Sequence, residues 1–279
     1  MFSVRRLTAS EFCATVVPEL AAREVENDVM IGLALRIAAA PVSAPHSVFC
    51  VVEAGGKLVG AALRTPPQLV IVTELPDGAA RAVAEYFRSI ADVPDGASGP
   101  RQHGREVAAF FASFRAGRLE HASDEIIYTL PELDALCERP TPPGAARPAT
   151  AADAPVLTRF FAEFFREIAL PHSPDPAEYA ASALARGSAW LWEDGEPRAL
   201  ACWARHMTTG TAIGPVYTAV DSRGRGYGSA VTAALCRDLF AAGRKFVCLH
   251  ADRRNPESNR VYRALGFQEV ASFNVWTVG

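Results

Sequence analysis

The sequence has no Cys-x-x-Cys pair, no apolar run approaching the ~20 residues that span a bilayer, and no large excess of charge of either sign. Its six cysteines, Cys13, Cys50, Cys137, Cys202, Cys236 and Cys248, are scattered and mostly set among apolar neighbours. They read as small buried hydrophobes in a reducing cytosol, not as a disulfide or zinc framework. Lys plus Arg number 28 against 31 Asp plus Glu, and the formal charge of −3 (28 − 31) argues against a nucleic-acid partner. The opening Met1-Phe2-Ser3-Val4-Arg5-Arg6 is not followed by an apolar h-region, so no signal peptide is expected. What remains is a globular composition, 49% hydrophobic over 279 residues, which suffices for one large domain or two small ones. A cytoplasmic protein without membrane or metal partners is expected.

The clearest seam is Arg139-Pro140-Thr141-Pro142-Pro143-Gly144-Ala145-Ala146-Arg147-Pro148, where proline after proline removes donors and disfavours helix. It divides the chain into halves with a shared outline. In the first, Ser47–Glu53, Leu58–Leu63 and Leu69–Thr73 read as strands, with helical sequence at Ala79–Ile90 and Glu106–Phe114. The Pro/Gly-rich stretch from Val93 to Gly104 reads as a loop. In the second, Asp153–Ile168 carries Leu157, Phe160, Phe161, Phe164, Phe165 and Ile168 at the spacing of an amphipathic helix. A hairpin turning at Glu193–Pro197 and a strand over Thr211–Val220 follow.

The most informative segment begins there. The strand runs into Asp221-Ser222-Arg223-Gly224-Arg225-Gly226-Tyr227-Gly228, then a helix over Ser229–Ala242 and a strand over Phe246–His250, a crossover of the parallel-sheet type. Three alternate glycines before a helix let backbone N–H groups approach an anion, which the helix dipole also favours. Arg223 and Arg225 add positive charge. A tight turn without a ligand is the plainer alternative. The loop lacks the lysine of a P-loop, and its glycine spacing departs from the dinucleotide fingerprint, leaving a Rossmann domain a weak second choice. Further on, Asn255-Pro256-Glu257-Ser258-Asn259-Arg260-Val261-Tyr262-Arg263-Ala264-Leu265-Gly266-Phe267 reads as a capped helix with Val261, Leu265 and Phe267 inward. Asn255 and Tyr262, seven residues apart, can face one side of it.

In these two segments the sequence resembles the GNAT superfamily of N-acetyltransferases. Arg223-Gly224-Arg225-Gly226-Tyr227-Gly228 is similar to its Gln/Arg-x-x-Gly-x-Gly/Ala acyl-CoA signature, and Asn255 to Phe267 to its later Asn…Tyr…Leu-Gly-Phe segment. The resemblance implies an α/β (α+β) fold of two tandem GNAT-like domains, each a central mixed, mostly antiparallel sheet flanked by helices. It divides the chain into a degenerate domain at 1–139, a linker and first strand entry at 140–148, and a catalytic domain at 149–279. It implies acetyl-CoA as acyl donor and a small-molecule or peptide amine as acceptor, and it is compatible with a homodimer. The backbone of Val216, Tyr217 and Thr218 would hold the pantetheine arm. Arg223, Gly224, Arg225, Gly226, Tyr227, Gly228 and Ser229 would form the pyrophosphate site, with Asn255 and Ser258 completing the cofactor contacts. Tyr262 would be the general acid that protonates the departing thiolate, since a phenol stays protonated at neutral pH.

No acidic residue lies on the strand before Asp221, so the base is not legible. Glu163, Glu167, His172, Asp175, His206 and His250 are candidates, and a satisfied core histidine is the plainer reading of His250. The aromatic residues Trp190, Trp192, Trp203 and Phe160 to Phe165 fit an acceptor cleft or a core equally. The missing base also motivates the alternative of a non-catalytic acyl-CoA-binding sensor or interaction protein. In the first half, Leu69–Thr73 leads into Glu74-Leu75-Pro76-Asp77-Gly78, with two carboxylates where the anion would sit. One acetyl-CoA per chain is therefore expected by calorimetry, and a stoichiometry of two would overturn that expectation.

Overall fold

The computed structural model describes residues 2–168 and 173–279. In chain order the elements are β1 (Phe2–Leu7), α1 (Ala9–Thr15), α2 (Val17–Leu20), α3 (Asp28–Ala39), β2 (Val48–Ala54), β3 (Lys57–Arg64), β4 (Val70–Val72), α4 (Ala79–Ser89), β5 (Gly96–Gly99), α5 (Arg101–Arg115) and β6 (Leu119–Leu130). They continue as β7 (Ala145–Pro148), α6 (Ala154–Ile168), α7 (Pro176–Ala185), β8 (Ala189–Asp194), β9 (Glu196–His206), β10 (Thr211–Thr218), α8 (Tyr227–Ala241), β11 (Val247–Asp252), α9 (Pro256–Ala264) and β12 (Gln268–Val278). No helix among the described residues is long and apolar enough to cross a membrane.

Two compact units are present, and they interleave along the chain. One comprises Met1–Ile127, His250–Asn255 and Val270–Gly279; the other comprises Tyr128–Leu249 and Pro256–Glu269. The proline-rich connector thus lies within the second unit's chain, and the last strand belongs to the first unit. Within the first unit the strands follow the order β1-β2-β3-β4-β5-β12-β6. Neighbours from β1 to β4 are antiparallel, β4 and β5 are parallel, and β12 returns antiparallel to β5. Within the second unit the order is β11-β10-β9-β8-β7, antiparallel except for β10 with β11. Each unit is therefore a mixed, mostly antiparallel sheet flanked by helices.

Apolar periodicity accounts for both cores. In the first unit Val83, Ala84 and Phe87 of α4 and Val107, Ala108 and Phe111 of α5 are buried against Cys50, Val52, Val70, Val72 and Ala97. In the second, Leu157, Phe160, Phe161 and Phe165 of α6 are buried against Leu191, Leu200, Cys202 and Tyr217. Two sequence expectations fail locally. Ile168 ends the α6 stripe but is exposed, because the helix stops there. The stretch read as a loop from Val93 to Gly104 contains β5, a strand of Gly96-Ala97-Ser98-Gly99 that is buried throughout. Its glycines mark close backbone approach: a Cβ at Gly96 would run into the Trp276 carbonyl, and one at Gly99 into that of Val72.

The first unit also buries charge. His250 Nε2 lies 2.9 Å from Asp28 Oδ1 and Nδ1 lies 3.0 Å from Glu125 Oε2, with Asp28 fully buried. Burial alone would lower the imidazole pKa, but Asp28 and then Glu125 outweigh it and hold His250 up at about 9. A pKa raised on folding contributes stability below the unfolded value of about 6.5 that is lost as pH rises through the folded one, here worth on the order of 3 kcal/mol. The melting temperature is expected to fall between pH 6.5 and 9.5 more steeply in wild type than in His250→Gln. Equal slopes, measured by scanning calorimetry, would count against the charged histidine.

Candidate acyl-CoA site in the second unit

The site is built on the far half of β10. Thr211 and Ala212 pair in parallel with Val247 and Cys248, and the recorded ladder to β11 ends there although both strands continue. The pairing of β10 with β9 shifts register at Ala212/Ile213 and again before Val216, a bulge containing Gly214 and Pro215. Pro215 has no N–H to give to a ladder, and Gly214 takes φ +145°, so this sequence bends where a regular strand would continue. From Val216 to Thr218 the strand is regular again. Tyr217 turns into the core, while Val216 and Thr218 point to the other face.

Beyond Thr218 a short 3-10 turn, Val220–Ser222, leads into the glycine loop. Gly224 and Gly226 take φ +77° and +88°, which a residue with a side chain adopts only at a cost. Gly226 is the N-cap of α8 and offers no side chain to its first turn, whose amides are left for another acceptor. Gly228 has a different reason: a Cβ there would lie 2.8 Å from Thr218 Oγ1, so its absence lets the first turn of α8 sit against the end of β10. Tyr227 is buried and its hydroxyl donates to Asp194 Oδ2 at 2.5 Å, fastening the loop to β8. Arg223 donates through Nε to the Thr218 carbonyl at 3.1 Å and pairs with Glu167. Arg225 and Ser229 complete the loop, exposed and half-buried respectively.

Helix α9 begins at Pro256 and brings Asn259 and Tyr262, one turn apart, to its buried face. The Tyr128 hydroxyl donates to Asn259 Oδ1 at 3.0 Å, and the ring centroids of Tyr128 and Tyr262 are 6.2 Å apart. Phe267 packs edge-on to Tyr262 at 5.9 Å. Burial drives the Tyr262 pKa well above the usual phenol range, with Cys236 a lesser contributor. Gly266 at φ +96° ends the helix, and Phe267 N–H closes on the Tyr262 carbonyl at 3.0 Å. Leu265 and Phe267 are buried, while Val261 is only half-buried. Ser258 is half-buried on α9, and Asn255 is exposed, unlike Tyr262, with its N–H on the Asp252 carbonyl at 2.9 Å. Asn255 falls in the first unit's segment, so the second unit gathers Val216 to Thr218, Arg223 to Ser229, Ser258 and Tyr262.

The candidate bases separate. His206 hydrogen-bonds Thr211 at 2.8 Å, at the opposite end of β10 from Thr218, and burial together with Arg244 lowers its pKa to about 4. Asp175 caps α7, accepting from the N–H groups of Ala177 and Glu178. Glu167 is paired to Arg223, and His250 is held between Asp28 and Glu125 in the first unit. His172 lies outside the described residues. Glu163, half-buried on α6, remains on the helix face turned to Tyr217. Of the aromatic residues, Phe160, Phe161 and Phe165 are core, Trp192 is buried and donates to the Pro143 carbonyl, and Trp203 stacks on His206. Sequence reasoning missed Tyr128 and Asn259. A polar residue at a buried helical position was the only available signal.

No curated protein matches the chain by sequence. Residues 191–277 match the family described as FR47-like protein. Among solved structures, a Drosophila protein from a structural genomics consortium superposes with TM-score 0.71 at 16% identity, covering 99% of this chain and 98% of its own. A GCN5-related N-acetyltransferase from Sphaerobacter thermophilus gives 0.63 at 13% identity, covering 99% and 95%. A tandem GNAT protein from the clavulanic acid biosynthesis pathway gives 0.56 at 16%, covering 99% and 98%. The resemblance seen in the two sequence segments thus extends to the fold of the whole chain, which is that of the tandem GNAT proteins.

Proposed function

We propose that the second unit transfers an acyl group, acetyl as the expected one, from acetyl-CoA to a primary amine by direct attack. The observation that carries this reading is a run of backbone open on one side: the β11-facing edge of β10 beyond its ladder, then two left-handed glycines, then the uncapped start of α8. An extended amide-bearing arm suits the first part and a pyrophosphate the last. The residues present fit such a group, since the cradle under the phosphates is one that side chains at Gly224, Gly226 and Gly228 would disturb.

In this reading the backbone of Val216, Tyr217 and Thr218 orients the pantetheine. The amides from Gly224 to Ser229 neutralise the pyrophosphate, aided by Arg223 and Arg225, and Ser258 flanks the arm. The neutral amine nitrogen adds to the thioester carbonyl, the carbon–sulfur bond breaks as Tyr262 gives its proton to the thiolate, and the proton the nitrogen sheds on becoming an amide restores the Tyr262 phenol through solvent. A phenol whose pKa is raised by burial is fully protonated at the start of each turnover, so it serves as donor and not as base.

Replacing Tyr262 by Phe should lower kcat by about 100-fold or more while leaving acetyl-CoA affinity within about threefold. Unchanged turnover, followed by thiol release, would remove Tyr262 from the acid role. Thiol release with any amine also separates an enzyme from an acyl-CoA sensor, which would bind without turnover. Gly228→Ala is expected to weaken acetyl-CoA binding by roughly tenfold, and adding Thr218→Ala, which removes the colliding oxygen, should recover part of the loss. A double variant as weak as Gly228→Ala alone would show that the steric account of this glycine is wrong.

A further inference from the structure

Helix α9 has little apolar grip on the second unit. Of its nine residues only Asn259 and Tyr262 are buried, one an amide and the other a phenol. A helix is usually set in rotation by a stripe of aliphatic side chains facing the core, and α9 buries no aliphatic side chain fully. Its C-terminal end is pinned through the backbone. The Cys137 N–H donates to the Leu265 carbonyl at 3.1 Å, and a Cβ at Gly266 would run into the Ala135 carbonyl. Both contacts lie beyond the last turn, so the face that carries Asn259 and Tyr262 needs a second point to fix how it is turned.

Tyr128, near the end of β6, supplies that point. It is fully buried and touches three residues of α9. Its hydroxyl donates to Asn259 Oδ1 at 3.0 Å, its ring centroid lies 6.2 Å from that of Tyr262, and the Arg263 guanidinium sits 5.8 Å over its ring. The two ring contacts would survive loss of the hydroxyl, since a phenylalanine fills nearly the same space. The hydrogen bond is different, because it is directional and both of its groups are out of water. Asn259 and Tyr262 stand at i and i+3 on one face, so fixing the first fixes the rotation of the second.

We propose that Tyr128 is a positioning residue for acyl transfer: its hydrogen bond to Asn259 sets the rotation of α9 and thereby aims the Tyr262 hydroxyl at the departing sulfur. This rests on the acid role given above to Tyr262. Side-chain tips lie about 5–6 Å from a helix axis, so a turn of about 20° carries one by roughly 2 Å. A misplacement of about 1 Å can cost on the order of 100-fold in rate. The backbone path of β10 and the glycine loop includes neither Tyr128 nor Asn259, so acetyl-CoA affinity should be spared.

The full chain is assayed for thiol release from acetyl-CoA with hydroxylamine as the acceptor amine. Tyr128→Phe should lower kcat by roughly tenfold or more and leave the KM for acetyl-CoA within about threefold. The same substitution made in Tyr262→Phe should cost nothing further, because no phenol is left to aim. A residue that merely supports the fold would slow both backgrounds alike. Asn259→Leu removes the acceptor instead and should behave as Tyr128→Phe does, so the test survives if either variant fails to fold. Hydrogen exchange of the α9 amides should quicken in Tyr128→Phe whether or not turnover is seen. Wild-type kcat in Tyr128→Phe, an equal further loss in the Tyr262→Phe background, or unchanged exchange each overturns the positioning role while leaving the acid role intact. Tyr262→Phe as fast as wild type sinks the acid role itself, and the positioning role with it.

Discussion

The second unit's candidate site depends on the end of one short ladder. A parallel strand pair normally spends the facing backbone groups of both strands on each other, and in β10 and β11 that exchange is recorded only at Thr211 and Ala212. The bulge at Gly214-Pro215 turns β10 at the next step, so Val216 to Thr218 stay paired to β9 on one side while no ladder to β11 is present on the other among the described residues. The glycine loop then carries the chain from strand to helix with its amides still unspent. Side chains are secondary here. What the fold supplies is backbone, and each special residue along the path serves to keep that backbone accessible.

This explains how a chain of net charge −3 can be suited to a polyanion. Helix-terminal amides carry partial positive charge that needs no basic surface. Of the two loop arginines, Arg223 is already tied to the Thr218 carbonyl and to Glu167, so it stiffens the loop as well as contributing charge. The corresponding turn of the first unit has one left-handed glycine, Gly78, with Glu74 and Asp77 nearby in sequence. Both helices thus start from a left-handed glycine cap without a side-chain bond, and what distinguishes the second unit is the further glycines, Gly224 and Gly228, and the two arginines in its loop. The stretch Pro256–Glu269, which carries Tyr262, is preceded and followed in the chain by segments that belong to the first unit.

Much of this was legible in the sequence, for identifiable reasons. Period-3.6 apolar stripes located α4 and α6, and turn residues located the hairpins, because those signals are local. The glycine loop before α8 and the helix begun at Pro256 and ended at Gly266 were legible because their local geometry is written in consecutive residues. Nonlocal features were not. Gly96 and Gly99 looked like loop residues, since nothing nearby in sequence announces that Trp276 and Val72 will press against their Cα atoms. Strand β12 entering the first unit's sheet beside β5 is a pairing across more than 170 residues, invisible to any local pattern. Tyr128 and Asn259 are 131 positions apart and become partners only when β6 and α9 pack.

Buried polar groups sort these nonlocal features by purpose. His250 is surrounded by two carboxylates, Tyr227 ends on Asp194, and Tyr128 ends on Asn259. Each is completed by the chain itself, and each fastens one element to another: β11 to α3 and β6, α8 to β8, and β6 to α9. A completed group of this kind offers little to a ligand, because binding one would first require breaking a bond already made. Tyr217 belongs with them, its ring in the second unit's core and its hydroxyl set among Glu163 and Arg223 on the strand that carries the candidate site.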